Sequence, residues 1–327
     1  MREKRDMKLL YVDTFLSSTR LSLKSSRKSV QICKVNINLC ANNHAQSVVP
    51  TFTSLLNSYT VPIPQWIPNR LESLGYIYPT DVQIQAYNIL LNTENSEINE
   101  SQDAVIHAQT GSGKTLAYLI PLLCNVDLSR SSIQALVVVP TQELGMQVYS
   151  LTKRITSGFE TEVSSSSGSR YYVLPLLEEG DLRRQKLQIR KVAPRIIIAT
   201  PNRLIEVAQS GRFDLYSLKF LVVDEFDASL ADSSTSKALQ NILSSSLSSL
   251  AATEDSDSNE SQMEAAQQKR KQRQTVLVSA TVPQHRHFLK QCIEEHWTRD
   301  NVKHLYMSAD QPMPEQLEHL YVVCDRK

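Results

Sequence analysis

One stretch limits what this chain can fold into more than any other. It is Ala108-Gln-Thr-Gly-Ser-Gly-Lys-Thr115, placed directly after the apolar pair Val105-Ile106. Glycines at 111 and 113 reach backbone angles that aim several N–H groups into one concavity, a shape suited to a polyphosphate. Lys114 adds a mobile positive charge for the β and γ oxygens, and Thr115 a hydroxyl for Mg²⁺. Leu116 to Leu123 reads as a helix whose N-terminal dipole faces the same anion, with Pro121 removing one internal hydrogen bond. Strand, turn and helix are the setting that such a loop requires. Ala108, Gln109, Thr110, Gly111, Ser112, Gly113, Lys114 and Thr115 are therefore read as a nucleoside triphosphate site, although Ala108 stands where the usual pattern has its first Gly. The plainer alternative is a glycine-rich surface turn.

Four further apolar runs end in polar turns in the same way. Ala135–Val139 precedes Pro140-Thr-Gln-Glu-Leu-Gly-Met-Gln147, Ile196–Ala199 precedes Thr200-Pro-Asn-Arg-Leu204, Phe220–Val223 precedes Asp224-Glu-Phe-Asp227, and Val276–Val278 precedes Ser279-Ala-Thr281. Runs apolar on both faces and separated by helical stretches predict an α/β fold, a parallel sheet with helices on both sides. Ligands of such sheets bind outside the carboxyl ends of the strands. Every motif-like turn here sits at such an end, which argues for one shared site.

The charge distribution separates the N-terminal part from the rest. Residues 1–71 carry ten Lys and Arg against three acids, the remainder 25 against 31, so any contact of the body with nucleic acid must come from local patches. Residues 14–71 contain no acid and are rich in hydroxyls and cations up to about Lys34, a composition shared by organelle transit peptides and by basic tails with no address. Glu3, Asp6 and Asp13 fit a transit peptide poorly, and Met7 is an alternative start. Residues 1–58 are predicted to be an unstructured extension, with folding from Tyr59 or Trp66 to about residue 315. Low-complexity composition predicts loops at Ser164–Ser169 and over residues 229–273, the latter ending in the basic Lys269-Arg-Lys-Gln-Arg273. The five cysteines (Cys33, Cys40, Cys124, Cys292, Cys324) have no metal-ligand spacing and read as ordinary thiols. His285 and His287 lack a third ligand in sequence and read as solvent-facing. No apolar run approaches the roughly 18 residues of a membrane span.

Asp224-Glu225, behind a buried strand and downstream of the phosphate loop, complete the chemistry. An acid at a strand end holds Mg²⁺, usually through water, and the adjacent carboxylate can take the proton of an attacking water. Lys114, Asp224 and Glu225 are the expected catalytic residues, and Thr115 and Asp224 the expected metal residues.

With these motifs in register, and with Gly75-Tyr-Ile-Tyr-Pro-Thr-Asp-Val-Gln83 upstream, the chain resembles a DEAD-box RNA helicase over roughly residues 59–327. Each motif is short, but six in family order are highly specific. Gln274–Phe288 and His296-Trp-Thr298 resemble a plant chloroplast branch of that family, which implies a plastid location, against cytoplasm or nucleus. The resemblance implies a RecA-like domain that uses ATP and Mg²⁺ and binds RNA through its backbone. It places Gln83, with Thr80 and Tyr76, on the adenine edge, and Tyr59 or Trp66 stacked on the base. Asp227, Ser279 and Thr281 would couple hydrolysis to domain closure, and Thr141, the Glu179-Gly180 turn, Thr200 and Arg203 would grip RNA phosphates.

Some positions depart from the family pattern. Phe226 replaces Ala, expected to set a bulky ring beside the acids, and Gln142 replaces an Arg, losing one charge for RNA. Asn202 replaces Gly, Gly145 replaces Ala, and Glu179 replaces the first of two glycines. Residues 316–327 read as the start of the linker to a second RecA-like domain, which is expected to supply the arginine finger in cis or in trans. Two other readings remain: an ATP-gated RNA-binding module without turnover, and a different P-loop NTPase, which Gln83 and Ser279-Ala-Thr281 argue against.

Overall fold

The computed structural model describes residues 50–59, 61–91, 102–160, 173–191, 193–209, 215–244, 273–281 and 288–307. All belong to one compact unit. The predicted 1–58 leader up to residue 49, the Ser164–Ser169 loop, His285, His287 and the 316–327 linker lie outside them.

The strands are β1 (Ala104–His107), β2 (Ala135–Val138), β3 (Val173–Leu176), β4 (Ile196–Ala199), β5 (Phe220–Val223), β6 (Gln274–Ser279) and β7 (Lys303–Tyr306). They form one sheet in the order β3-β4-β2-β5-β6-β1-β7, and every pair is parallel. The five strands foreseen from apolar runs occupy the interior positions, where both faces must be apolar. The two that composition did not mark are the edges. β3 carries Pro175, which an edge tolerates because it cannot donate to a ladder, and β7 exposes three of its four residues.

Alternation along each strand feeds two cores. Ile106, Val137, Ile198, Val222 and Val278 point to one face, which is covered by α1 (Phe52–Leu56), α2 (Trp66–Ser73), α3 (Asp81–Leu90), α4 (Lys114–Asn125) and α5 (Gln142–Glu160). Val105, Leu136, Val138, Leu221 and Leu277 point to the other. That face is covered by α6 (Leu182–Lys191), α7 (Pro201–Ala208), α8 (Phe226–Ala231), α9 (Ser233–Ser244) and α10 (Phe288–Glu294). α4 is buried from Leu116 to Leu123 and continues through Pro121. Its burial on all sides outweighs the one missing hydrogen bond.

Two predicted boundaries move. Folding begins before Tyr59, because Thr51 caps α1 and Phe52 and Leu56, one helical turn apart, are both buried. The phrase Phe52–Leu56 was hidden inside an acid-free stretch. The low-complexity insert starts later than residue 229, because α8 and α9 run through to Ser244. Ala238-Leu239 and Ile242-Leu243 recur at helical spacing within the serine-rich background and are buried. Arg273, counted with the basic end of that insert, is buried beside β6.

Candidate functional site

The phosphate loop lies between the carboxyl end of β1 and the start of α4. Gly111 and Gly113 have φ of 80° and 90°. The backbone angle at Gly113 favours glycine, and a Cβ there would fall 2.4 Å from Gln83 Nε2 and displace that side chain from the loop. Lys114 Nζ donates to the carbonyls of Ala108 and Gln109, both at 2.7 Å. Burial pulls the Lys114 ammonium below its ordinary value, and Asp224, Glu225 and Asp227 oppose that shift.

Gln83 is buried and both ends of its amide are occupied. Its Oε1 accepts from Thr80 N at 2.9 Å, closing a capping box at the start of α3, and its Nε2 donates to Gly113 O at 3.1 Å. Thr80 Oγ1 donates to Ser112 O at 2.9 Å. The pair foreseen for the base is thus docked on the phosphate loop itself. Tyr76 packs partly buried against the core, and so does Tyr59, whose hydroxyl donates to Asn88 at 2.9 Å and is pushed up to about 12 by burial. Trp66, the other aromatic considered for stacking, is a buried core residue.

Asp224 ends β5, one strand removed from β1 across β6. Its Oδ2 accepts from the hydroxyl of Tyr118 at 2.8 Å and its Oδ1 from Glu225 N at 2.9 Å. Tyr118 stands one helical turn past Thr115, so α4 carries both an expected metal residue and the buried hydroxyl that holds Asp224. Sequence reasoning missed Tyr118. Its place in α4, one turn beyond Lys114 and Thr115, puts it on their face of the helix. Burial raises Asp224, which the Tyr118 hydrogen bond opposes, and burial with the neighbouring charges of Asp224 and Asp227 raises Glu225. Glu225 holds a left-handed backbone (φ 46°, ψ 52°), uncommon for a non-glycine residue and typical of functional turns.

Asp227 Oδ2 accepts from the Thr281 amide at 3.0 Å and from the Thr281 hydroxyl, and Ser279 Oγ donates to Thr281 O at 2.5 Å. Burial pushes Asp227 up, but the hydrogen bonds from Thr281 outweigh it and hold it below the usual carboxylate range. His107, a second residue that the motifs did not mark, ends β1 and bonds Ala280 O through Nε2 at 2.9 Å. It ties the phosphate-loop strand to the Ser279-Ala-Thr281 turn.

Phe226 does not sit beside the acids as expected. It turns into the second core, against Phe288 at 5.7 Å and Trp297 at 5.6 Å between ring centroids. Helical rotation sends the residue after Glu225 inward, and the aromatic cluster fills the space.

The turns after β2, β3 and β4 are joined to one another. Gln142 Oε1 accepts from Glu179 N at 2.9 Å, so two positions that depart from the family pattern are partners. Arg203, 8% exposed, donates to Glu178 O and pairs with Glu206 at 3.2 Å. It braces the Glu178–Gly180 turn from beneath and does not face solvent. Gln185 Nε2 donates to Leu177 O at 3.1 Å and lies where a Cβ on Gly180 would fall. Thr141 is exposed, and Thr200 is buried with its hydroxyl unpartnered.

A parallel sheet with a glycine loop, a lysine and acids gathered at its carboxyl edge defines a P-loop nucleotide-binding domain of the RecA-like class. Within that class the chain belongs to the DEAD/DEAH box helicase family, whose profile matches residues 80–288. Over 265 residues it is 37% identical to DEAD-box ATP-dependent RNA helicase 58, chloroplastic, of Oryza sativa subsp. japonica, covering 81% of this chain and 51% of the relative. The protein of the same name from Arabidopsis thaliana is 33% identical, covering 95% of this chain and 59% of the relative. The chain thus spans about half the length of the curated relatives it matches. Among solved structures, DEAD-box helicase Mss116 bound to ssRNA and UDP-BeF superposes with a TM-score of 0.59 at 25% identity, covering 78% of this chain and 45% of that one.

Proposed function

We propose that this chain is the ATP-binding half of an ATP-dependent RNA helicase, carrying the phosphate loop, the hydrolytic acids and part of an RNA backbone surface. The observation that carries this reading is the gathering of Lys114, Asp224, Glu225, Asp227 and Thr281 at neighbouring strand ends, in the order that the sheet's crossovers impose. Names of relatives that include ATP, RNA and a chloroplast location support the substrates and a plastid address.

In this reading the loop amides from Gln109 to Thr115 cradle the β and γ phosphates, and Lys114 leaves its loop carbonyls for their oxygens. Glu225 accepts a proton from the water whose oxygen bonds to the γ phosphorus, as the bond to the bridging oxygen of ADP breaks. The raised Glu225 carboxyl suits it to that transfer near neutral pH. One hydroxyl, Thr115, and one buried carboxylate, Asp224, fit Mg²⁺ shared with a phosphate. Among the described residues no group of three or more His, Cys, Asp or Glu could hold a metal by itself. Bound there, Mg²⁺ would neutralise charge on the phosphate oxygens. Gln83 and Thr80 exchange their loop contacts for the adenine edge, so the base reports to the loop through the same side chains. Thr141 and the Glu179-Gly180 turn contact RNA phosphates, with Arg203 holding the turn in place.

Calorimetry and a phosphate-release assay test the assignment together. Lys114→Ala should abolish ATP binding, while Glu225→Gln should bind ATP and lose turnover. Parental turnover by Glu225→Gln would remove Glu225 as the base.

A further inference from the structure

The turns assigned to RNA carry little positive charge. Gln142 is neutral, Glu179 is an exposed acid, and the guanidinium of Arg203 is buried under Glu178. The helix that leaves those turns is the opposite. α6 holds Arg183, Arg184, Lys186, Arg190 and Lys191 in ten residues without one acid.

Its inward face is accounted for. Gln185 is buried, and Leu182 and Ile189 pack partly buried against the second core, which at 100° per residue turns the remaining positions outward. Arg183, Arg184, Arg190 and Lys191 are exposed, and none of the five cations pairs with a carboxylate among the described residues. Lys186 and Arg190, one turn apart, form a like-charge pair that costs the isolated helix a few tenths of a kcal/mol. This flank is therefore positive in a body whose residues 72–327 hold more acids than bases.

Position supplies the second argument. α6 follows directly on the Glu178–Gly180 turn, which Gln142 and Arg203 hold, and it packs Leu182 and Ile189 against the second core. Its cations begin at the carboxyl edge and continue from Arg183 to Lys191 for about 12 Å. At the roughly 3.4 Å rise of a stacked strand this is the length of three to four phosphates.

We propose that the exposed face of α6 is a second RNA-binding surface, which extends the path past the Glu179-Gly180 turn by contacts to backbone phosphates. The proposal rests on the reading of this chain as an RNA-contacting helicase half. An anionic membrane suits the face less well, because a surface helix must insert an apolar face, and α6 packs Leu182 and Ile189 on the core and exposes Leu187 alone. Point charges without a groove read phosphate and not base, so the contacts are sequence-independent.

The test uses the 327-residue chain, a non-hydrolysable ATP analogue and single-stranded RNA of about six and about twelve nucleotides, the longer one reaching α6. The variant replaces Arg183, Arg190 and Lys191 by Gln, and a charge-keeping control carries Arg183→Lys, Arg190→Lys and Lys191→Arg. For the longer RNA the Gln variant should bind at least tenfold more weakly. The slope of log affinity against log salt should fall by about 0.7 for each lost contact, roughly two in total. Binding of the shorter RNA and of the analogue should match the parent, and the control should keep both slope and affinity. An unchanged slope on the longer RNA, an equal loss on both lengths, or tighter binding of the parent to phosphatidylserine vesicles would overturn the proposal. Parental failure to bind either RNA would instead overturn the reading beneath it.

Discussion

Tyr118 gives the residue scale its clearest case. Its hydroxyl donates to Asp224, while its ring is wholly buried in α4. Tyr118→Phe keeps the ring and removes only the tether, a hydrogen bond to a charged group worth about 1.5–3 kcal/mol. The expected outcome is a rise of about tenfold in the magnesium concentration at half-maximal ATP binding, with magnesium-free nucleotide affinity unchanged. Calorimetry at graded magnesium would detect it, and an unchanged half-point would reduce Tyr118 to a core residue. Gln83 is doubly committed at this scale, to the cap of α3 and to Gly113. Gln83→Ala should narrow the preference for ATP over GTP and also lower stability by about 1 kcal/mol through the lost cap. Equal affinities for ATP and GTP in the parent protein would remove the base-reading role.

At the scale of elements, α8 shows how a substitution at a motif can belong to the core. Phe226 anchors α8 against α10 and the segment after it, through Phe288 and Trp297. Phe226→Ala restores the residue that the family carries, yet it should destabilise the domain by about 3–5 kcal/mol, because the aromatic cluster cannot collapse into the gap. Urea unfolding measures that loss, and ATP binding by the folded fraction should be unchanged. A cost below about 1 kcal/mol would mean that α8 repacks freely. β1, β6 and β7 are joined by another buried device. Asp103 accepts from Thr275 N at 2.7 Å and from Arg299 N at 2.8 Å, and pairs with the Arg299 side chain at 2.8 Å. Asp103→Ala removes the acceptor of two buried amides and one partner of the Arg299 guanidinium, and a loss of about 3 kcal/mol is expected in the same unfolding experiment.

For the whole molecule, the matched relatives extend well past the shared region. A cation opposite Lys114 at the γ-phosphate is worth about 10³–10⁵ in rate. The 327-residue chain should bind ATP, hydrolyse it slowly with little RNA stimulation, and leave a short duplex unseparated. Adding the remainder of a relative in trans should raise all three. RNA-stimulated turnover by the purified monomer would place the missing cation within residues 1–327.

The sequence by itself determined the parts whose physics is local. Two glycines before a lysine, apolar runs buried on both faces, and acids directly behind a strand state their roles within a few residues. The interior strands of the sheet and the turns that end them were therefore legible. Its edges were not, since Pro175 interrupts the apolar run of β3 and β7 exposes three of its four residues. Nor was the early start at Phe52, whose ring partner Tyr87 and backbone acceptor Ile77 O come from other parts of the chain. Only the tertiary structure decided which side chains meet. Tyr118 reaches Asp224 across 106 residues, Gln142 reaches Glu179 across 37, and Arg203 turns beneath Glu178. Those meetings follow from a strand order that runs β4-β2-β5-β6-β1, set by crossover packing of helices on two faces and by no periodicity within any one segment.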